Sequence, residues 1–133
     1  MDKELILDNG YMTVWYYPVM KIVHHQMHKF TYGQALRDGL SAGATLLEEK
    51  GAQKWLSDDR KNTTLGKDDL NWTATFWRPR VKKAGLKYWA IVLPEKVFGQ
   101  MVMKQIIEEY ANTGVTVQIF TDPAEAMKWL EAQ

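Results

Sequence analysis

The sequence contains no cysteine. Disulfide bonds, thiolate metal sites and a cysteine nucleophile are therefore excluded. It also lacks an apolar run of about 18 residues, the length that a membrane-spanning helix requires. Residues 1–15 have neither the basic start nor the apolar core of a signal peptide. We therefore expect a cytoplasmic protein without stable membrane insertion.

An excess of one charge is also missing. The 17 lysine and arginine residues nearly balance the 16 acidic residues, giving a net charge of +1. This balance does not favour a nucleic-acid partner. The motifs G-x-S-x-G, G-x-G-x-x-G, G-x-x-x-x-G-K-[ST] and H-E-x-x-H do not occur. We expect no catalytic residue, no metal and no cofactor, and hence a protein that is not an enzyme.

What the sequence does contain is enough apolar material for one core. Hydrophobic residues make up 46% of the 133 residues, a composition typical of a folded domain. The N-terminal part reads as a β-hairpin over residues 4–17, with a type I′ turn at Asn9-Gly10. A third strand is predicted for Lys21–Phe30, and a helix for residues 32–50, with a capping box from Thr31 and Gln34 and a left-handed cap at Gly51.

The C-terminal part alternates between strands and helices. A helix beginning near Asp68 should be interrupted near Trp77 by Pro79, and Asp122-Pro123 is a strong helix start. Strands are predicted for residues 53–57, 88–93 and 115–120, and a further helix for residues 97–112. The fold class is α/β, a single domain over 1–133 in which the N-terminal β-hairpin precedes four strand–helix units. Such alternation predicts a mainly parallel sheet.

Three histidines, His24, His25 and His28, lie close together in the third strand. In an extended strand, successive side chains point to opposite faces, and four residues span about 13 Å. His24 and His28 could not then share one metal ion. We interpret all three as surface or partly buried strand residues.

The polar segment 57–64 follows a strand and precedes a helix, where ligands bind in open α/β sheets. Its paired aspartates could hold a cation, orient an arginine or act as acid and base. An ordinary solvated loop would explain the same composition. The candidate binding residues here are Asp58, Asp59, Arg60 and Asn62. By location only, the candidate phosphate acceptors are Ser57, Thr63 and Thr64.

A basic cluster between residues 78 and 87 is flanked by Trp77 and Tyr88. Such a cluster could contact phosphate or anionic lipid, although a solvated helix face explains it equally. We include Trp77 and Arg78 as candidate binding residues on the same surface as the polar segment.

Both faces of the second hairpin strand are apolar. Tyr11, Thr13, Trp15 and Tyr17 share one face, while Met12, Val14 and Tyr16 share the other. If helices cover only one side of the sheet, the other side must meet a partner, a ligand or a second copy. Alternatively, the last helix or the chain ends cover it.

The layout resembles a known family. The segments KWLSDDR (54–60), KYWAIVLP (87–94) and GVTVQIF (114–120), and the closing Phe120-Thr121-Asp122-Pro123, are similar to the STAS or anti-sigma-factor-antagonist-like family, in particular its uncharacterised bacterial SpoIIAA-like branch. The resemblance implies a SpoIIAA-like superhelix that acts by protein–protein binding. The family's phosphorylated D-S-S-G-like loop has no matching residues here.

The leading hypothesis is thus a non-catalytic bacterial protein-interaction or regulatory module of STAS-like type. It would bind an unknown protein partner through residues 57–64 and the exposed part of the sheet, and could form a homodimer. The alternative is a small-molecule or lipid-binding protein that uses an aromatic surface or pocket. An enzyme that pairs Asp58 or Asp59 with a nearby histidine ranks last.

Overall fold

A computed structural model describes residues 2–96, 108–109 and 113–133. Six strands form one sheet in sequence order. The strands are β1 (Glu4–Asp8), β2 (Met12–Tyr17), β3 (Ile22–Met27), β4 (Lys54–Asp58), β5 (Tyr88–Val92) and β6 (Thr116–Phe120). Strands β1 to β3 pair antiparallel, and β3 to β6 pair parallel. The α/β class and the mainly parallel sheet after the hairpin are confirmed.

The helices are α1 (Gly33–Lys50), α2 (Lys67–Trp72), α3 (Arg78–Ala84) and α4 (Pro123–Glu131). A π-helical turn, Thr73–Trp77, joins α2 directly to α3. The interruption expected near Trp77 is therefore present as a widened turn that places Pro79 in the first turn of α3, where its missing N–H costs little. The helix predicted for residues 97–112 lies almost entirely outside the described residues.

Two local predictions were wrong. A type I′ turn needs positive φ at both central residues, but in the hairpin loop only Gly10 has it (φ 84°), while the Asn9 side chain accepts hydrogen bonds from two backbone N–H groups. The capping box is also absent. The Thr31 hydroxyl donates to the Lys29 carbonyl and the Gln34 amide donates to Asp38, so neither caps α1.

Other terminal signals act as predicted. Gly51 ends α1 in the left-handed conformation (φ 68°) and donates its N–H to the Leu47 carbonyl. The Asp122 side chain caps α4 by accepting from the Ala124 N–H. Strand β3 is extended as expected but ends at Met27 rather than Phe30.

The helices cover the sheet unequally. Helices α1 and α3 lie over one face, and α4 packs on β4, β5 and β6 from the other. On this second face, Tyr17 and Ile22 pack in one cluster with Ala126 and Leu130 of α4, whereas Leu5 of β1 is exposed and Trp15 is half-buried. The last helix therefore covers part of the second face. Coverage by this helix was the alternative that the sequence left open to a fully exposed face.

Helix α1 comes very close to the sheet because two of its residues are glycines. A Cβ atom built on Gly43 would lie 2.2 Å from the Trp55 ring, and one on Gly39 would lie 2.2 Å from the Met12 sulfur. A real Cβ atom could not lie this close to its neighbours, so glycine at both positions is what lets α1 pack against the sheet.

We expect Gly43→Ala to lower the free energy of unfolding by about 1–3 kcal/mol, because the added methyl group must displace a fully buried indole ring. Urea unfolding would measure the change. Gly66→Ala is the matched control, since a Cβ there meets nothing within 4 Å. Equal stability of the two variants would contradict this account of the helix–sheet contact.

Candidate functional site

The candidate site lies where parallel strands β3, β4 and β5 end together. His25 is opposite Ser57 and Gln26 is opposite Asp58, and β5 continues the same register. The loop after β4 therefore crosses the carboxyl edge of the sheet, as predicted from the sequence. This register brings residues distant in sequence next to the polar segment 57–64.

Asp58 points inward and is already paired. Arg60 donates from Nε to one carboxylate oxygen of Asp58 and from a terminal nitrogen to the other, both at 2.8 Å. These hydrogen bonds to the Asp58 carboxylate raise the pKa of the Arg60 guanidinium further above its ordinary value. Asp58 is buried, whereas the Arg60 side chain is 41% exposed. Only the arginine of this pair therefore offers surface to a partner.

Asp59 belongs to a second chain of contacts that reaches the core. Its Oδ1 lies 2.7 Å from Nε2 of His25, and Nδ1 of His25 lies 3.0 Å from the Trp55 indole nitrogen. An indole N–H can only donate, so Nδ1 must accept and the hydrogen of the neutral ring lies on Nε2. His25 thus donates to Asp59, and both its ring nitrogens are engaged within the protein.

This arrangement limits what His25 can do chemically. A histidine that acts as general base needs a nitrogen lone pair facing the substrate. The one lone pair of His25 accepts from Trp55, and the ring is buried. The Asp–His contact that an enzyme would require is present, but in this geometry it fixes the loop to the core and leaves neither nitrogen of His25 open.

The candidate phosphate acceptors are in different environments. Ser57 is fully buried, and its Oγ accepts from the Trp89 indole N–H at 2.7 Å. As placed, Ser57 is inaccessible to a kinase. Thr63 and Thr64 lie on the exposed part of the loop.

Asn62 fastens the polar loop to the segment after β3. Its amide oxygen accepts from the Thr31 N–H at 3.2 Å, and its amide nitrogen donates to the Thr31 carbonyl at 3.3 Å. Thr31 is 0% exposed, but its neighbours Phe30 and Tyr32 are 53% and 58% exposed. Their ring centroids are 5.6 Å apart. We call Phe30 and Tyr32 the aromatic pair.

Asp69 fixes the other end of the same segment. Its Oδ2 accepts from the Gly33 N–H at 3.0 Å, so the first turn of α1 is capped from α2. Its Oδ1 lies 3.5 Å from Nε of Arg37, whose guanidinium carbon lies 5.5 Å from the centre of the Trp72 ring. Between these elements runs an open groove of about 400 Å³, lined by Phe30, Tyr32, Gly66, Lys67, Asp68 and Asp69.

Two predicted site residues lie away from the polar loop. Trp77 is buried between Trp55 and Trp89, and its indole N–H donates to the Leu40 carbonyl. Arg78 is paired with Glu109. The expectation that Trp77 lines a binding surface was wrong, because the π-helical turn points this ring into the core.

The sequence analysis did not identify the aromatic pair, nor the hydrogen bonds between Thr31 and Asn62 that hold it in place. Phe30 and Tyr32 lie between a strand and a helix, where no periodic pattern distinguishes exposed from buried positions. The one available signal was two large aromatic residues beside a threonine in a connection, a place where binding residues often occur.

His24 occupies the opposite face of β3 from His25, as the alternation predicted. Its ring packs against Trp15 and Tyr17, and its Nδ1 lies 3.1 Å from the Tyr17 hydroxyl. Burial, reinforced by the nearby His25, lowers the pKa of His24 from 6.5 to about 4. His24 is therefore neutral in the folded protein near neutral pH.

Within the described ranges, no three histidine or acidic side chains are grouped closely enough to hold a metal ion. In the same residues, no helix combines the length and apolar character needed to cross a membrane.

No protein-family model, curated protein or solved structure significantly matches this chain.

We expect His25→Phe to lower the free energy of unfolding by about 1–3 kcal/mol, because it leaves the buried Trp55 N–H without an acceptor. His28→Phe is the comparison variant, since it removes an exposed imidazole bonded to the Thr13 hydroxyl but leaves the buried Trp55 N–H with its acceptor. Nitrogen-15 NMR of the wild-type imidazole should show the hydrogen on Nε2. A hydrogen on Nδ1 would contradict the assignment.

Acid should destabilise the protein through His24. Between pH 6.5 and about 4, the unfolded chain takes up a proton at this ring that the folded chain does not. The free energy of unfolding therefore falls as the pH is lowered through this range, by up to about 3 kcal/mol. Urea unfolding at several pH values would show the slope, which should flatten in His24→Phe. An NMR titration midpoint for His24 near 6.5 would refute the prediction.

Proposed function

We propose that this protein is a non-catalytic protein-interaction module of the STAS-like type, and that it binds its partner at the carboxyl edge of the sheet. The observation that carries the proposal is the aromatic pair, two half-exposed rings on either side of a completely buried residue. Large exposed aromatic side chains in a fixed position are typical of the residues that dominate protein–protein binding energy.

The aromatic pair is held before any partner arrives. Thr31 forms two hydrogen bonds with Asn62, and the Gly33 N–H is bound by Asp69. Backbone that is already ordered loses little conformational entropy on binding. Little of the binding energy of the two rings is therefore offset by ordering the backbone that carries them.

The polar loop supports this surface and contributes charge to its rim. Asp58 and Asn62 are buried and act as supports, whereas Arg60 is exposed and the Asp59 side chain is 23% exposed. Rim charges mainly affect association rate and partner selection. We therefore assign recognition to the aromatic pair and a steering role to Arg60.

The contacts of His25 support the non-catalytic part of the proposal, because neither of its nitrogens is open to a substrate. The alternative, a small-molecule or lipid-binding protein, has less support. Small-ligand sites are usually concave enough to bury most of the ligand, and the groove beside the aromatic pair is open. A protein surface covers such a groove more completely.

Two expectations stay predictions. The order of strands and helices is compatible with the SpoIIAA-like superhelix that the sequence resembles. Homodimerisation through the hairpin would use the exposed part of β1 and β2, where Leu5 is exposed beside Trp15.

The test compares capture of binding proteins from a bacterial lysate by the wild type and by Phe30→Ala/Tyr32→Ala, with quantification by mass spectrometry. We expect the double variant to lose at least about tenfold of a specific partner, because each ring contributes like an interface anchor. Phe76→Ala is the matched control, since Phe76 is 67% exposed elsewhere, in the π-helical turn.

The two variants should unfold at the same urea concentration as the wild type, which excludes misfolding as the cause. Partner capture that survives loss of both rings, or that depends equally on Phe76, would contradict the proposal.

A further inference from the structure

The groove beside the aromatic pair is lined by two segments of the chain, which we call its walls. One segment contributes Phe30 and Tyr32, and the other contributes Gly66, Lys67, Asp68 and Asp69. The faces of aromatic rings are electron-rich and attract cations. Aromatic rings and the Asp68 carboxylate in the lining of one groove both favour a cation.

We infer that the partner inserts a cationic side chain, an arginine, into this groove, where the guanidinium stacks on the aromatic pair and bonds the Asp68 carboxylate. The inference rests on the proposed function and names the chemistry of the partner. A planar guanidinium suits it better than an ammonium group, since it can stack on a ring and donate to a carboxylate at the same time.

The two aspartates differ in availability. Asp69 is buried and already accepts from the Gly33 N–H while Arg37 approaches its other oxygen. Asp68 is exposed and forms no ion pair with any described residue. Asp68 is therefore the carboxylate that can receive a partner's cation, and Asp69 positions the wall that carries it.

A ring that contacts the aromatic pair already binds one cation of this chain. Tyr11 lies edge-on to Tyr32, with ring centroids 6.4 Å apart, and the Lys29 ammonium lies 4.5 Å from the Tyr11 ring centre. Two features of the described groove would favour an anion, the Lys67 ammonium group and the N-terminal turn of α2 that carries it. Anions are repelled by ring faces, so we assign the cation to the groove and test the anion directly.

The experiment is an NMR titration of the full-length protein, labelled with nitrogen-15, with the peptide acetyl-Ala-Arg-Ala-amide. We expect the backbone signals of Phe30, Tyr32, Gly66 and Asp68 to shift, with an affinity in about the millimolar range. A peptide with citrulline in place of arginine keeps the shape but lacks the charge. It should bind at least about fivefold more weakly, since it loses the cation–π and charge–charge contacts.

Variants localise the binding. Asp68→Asn should weaken the arginine peptide by about threefold or more, whereas Glu49→Gln, which removes an exposed negative charge at the end of α1, should leave it unchanged. Phe30→Ala should abolish the shifts. No shift with the arginine peptide, equal binding of the citrulline peptide, or preferred binding of acetyl-Ala-Glu-Ala-amide would each overturn the inference.

The outcome separates the two proposals. If Phe30→Ala/Tyr32→Ala still loses its captured protein while the arginine peptide fails to bind, the interaction surface stands and the arginine assignment falls. If the double variant captures its partner normally, the interaction surface itself is wrong, whatever the peptide does.

Discussion

Trp55 can lie between α1 and the sheet because residue 43 of the helix has no side chain. The indole is completely buried, and its ring touches the position that a Cβ of Gly43 would occupy. This close approach buries the whole Trp55 ring and fixes the direction of its indole N–H. The N–H reaches Nδ1 of His25 and so decides which nitrogen of that ring faces the loop. A missing methyl group thus determines the hydrogen-bonding pattern at the edge of the sheet.

The loop after β4 depends on that pattern. His25 donates to Asp59, Asp58 holds Arg60, and Asn62 then reaches the backbone of Thr31. Each contact satisfies a polar group that would be costly to bury alone. The segment carrying the aromatic pair is therefore connected through buried contacts to the centre of the core.

The sequence predicted those features that depend on neighbouring residues. The hairpin, the alternation along β3, the cap at Gly51 and the helix start at Asp122-Pro123 are all local patterns, and each was confirmed. The position of the polar loop at the carboxyl edge followed from topology. The helix cap at Gly33 could not be foreseen, because its acceptor, Asp69, is 36 residues away in the chain.

The partners within the site were beyond prediction for the same reason. The contact between His25 and Asp59 depends on the register of β3 against β4, and a shift by one residue would turn His25 to the other face. The inward position of Trp77 depends on the π-helical turn, which adds a residue to the helical repeat before Pro79. Periodicity alone places neither side chain.

In the connection between β3 and α1, the residues that fix the backbone are not the residues whose side chains are exposed. The hydrogen bonds that hold this connection in place use Thr31 and the backbone N–H of Gly33, whereas residues 30 and 32 contribute exposed rings. Natural divergence or a combinatorial library could therefore exchange the two outward positions for other side chains while the core stays intact. The scaffold would present new chemistry at an unchanged location, much as antibody frameworks display variable loops.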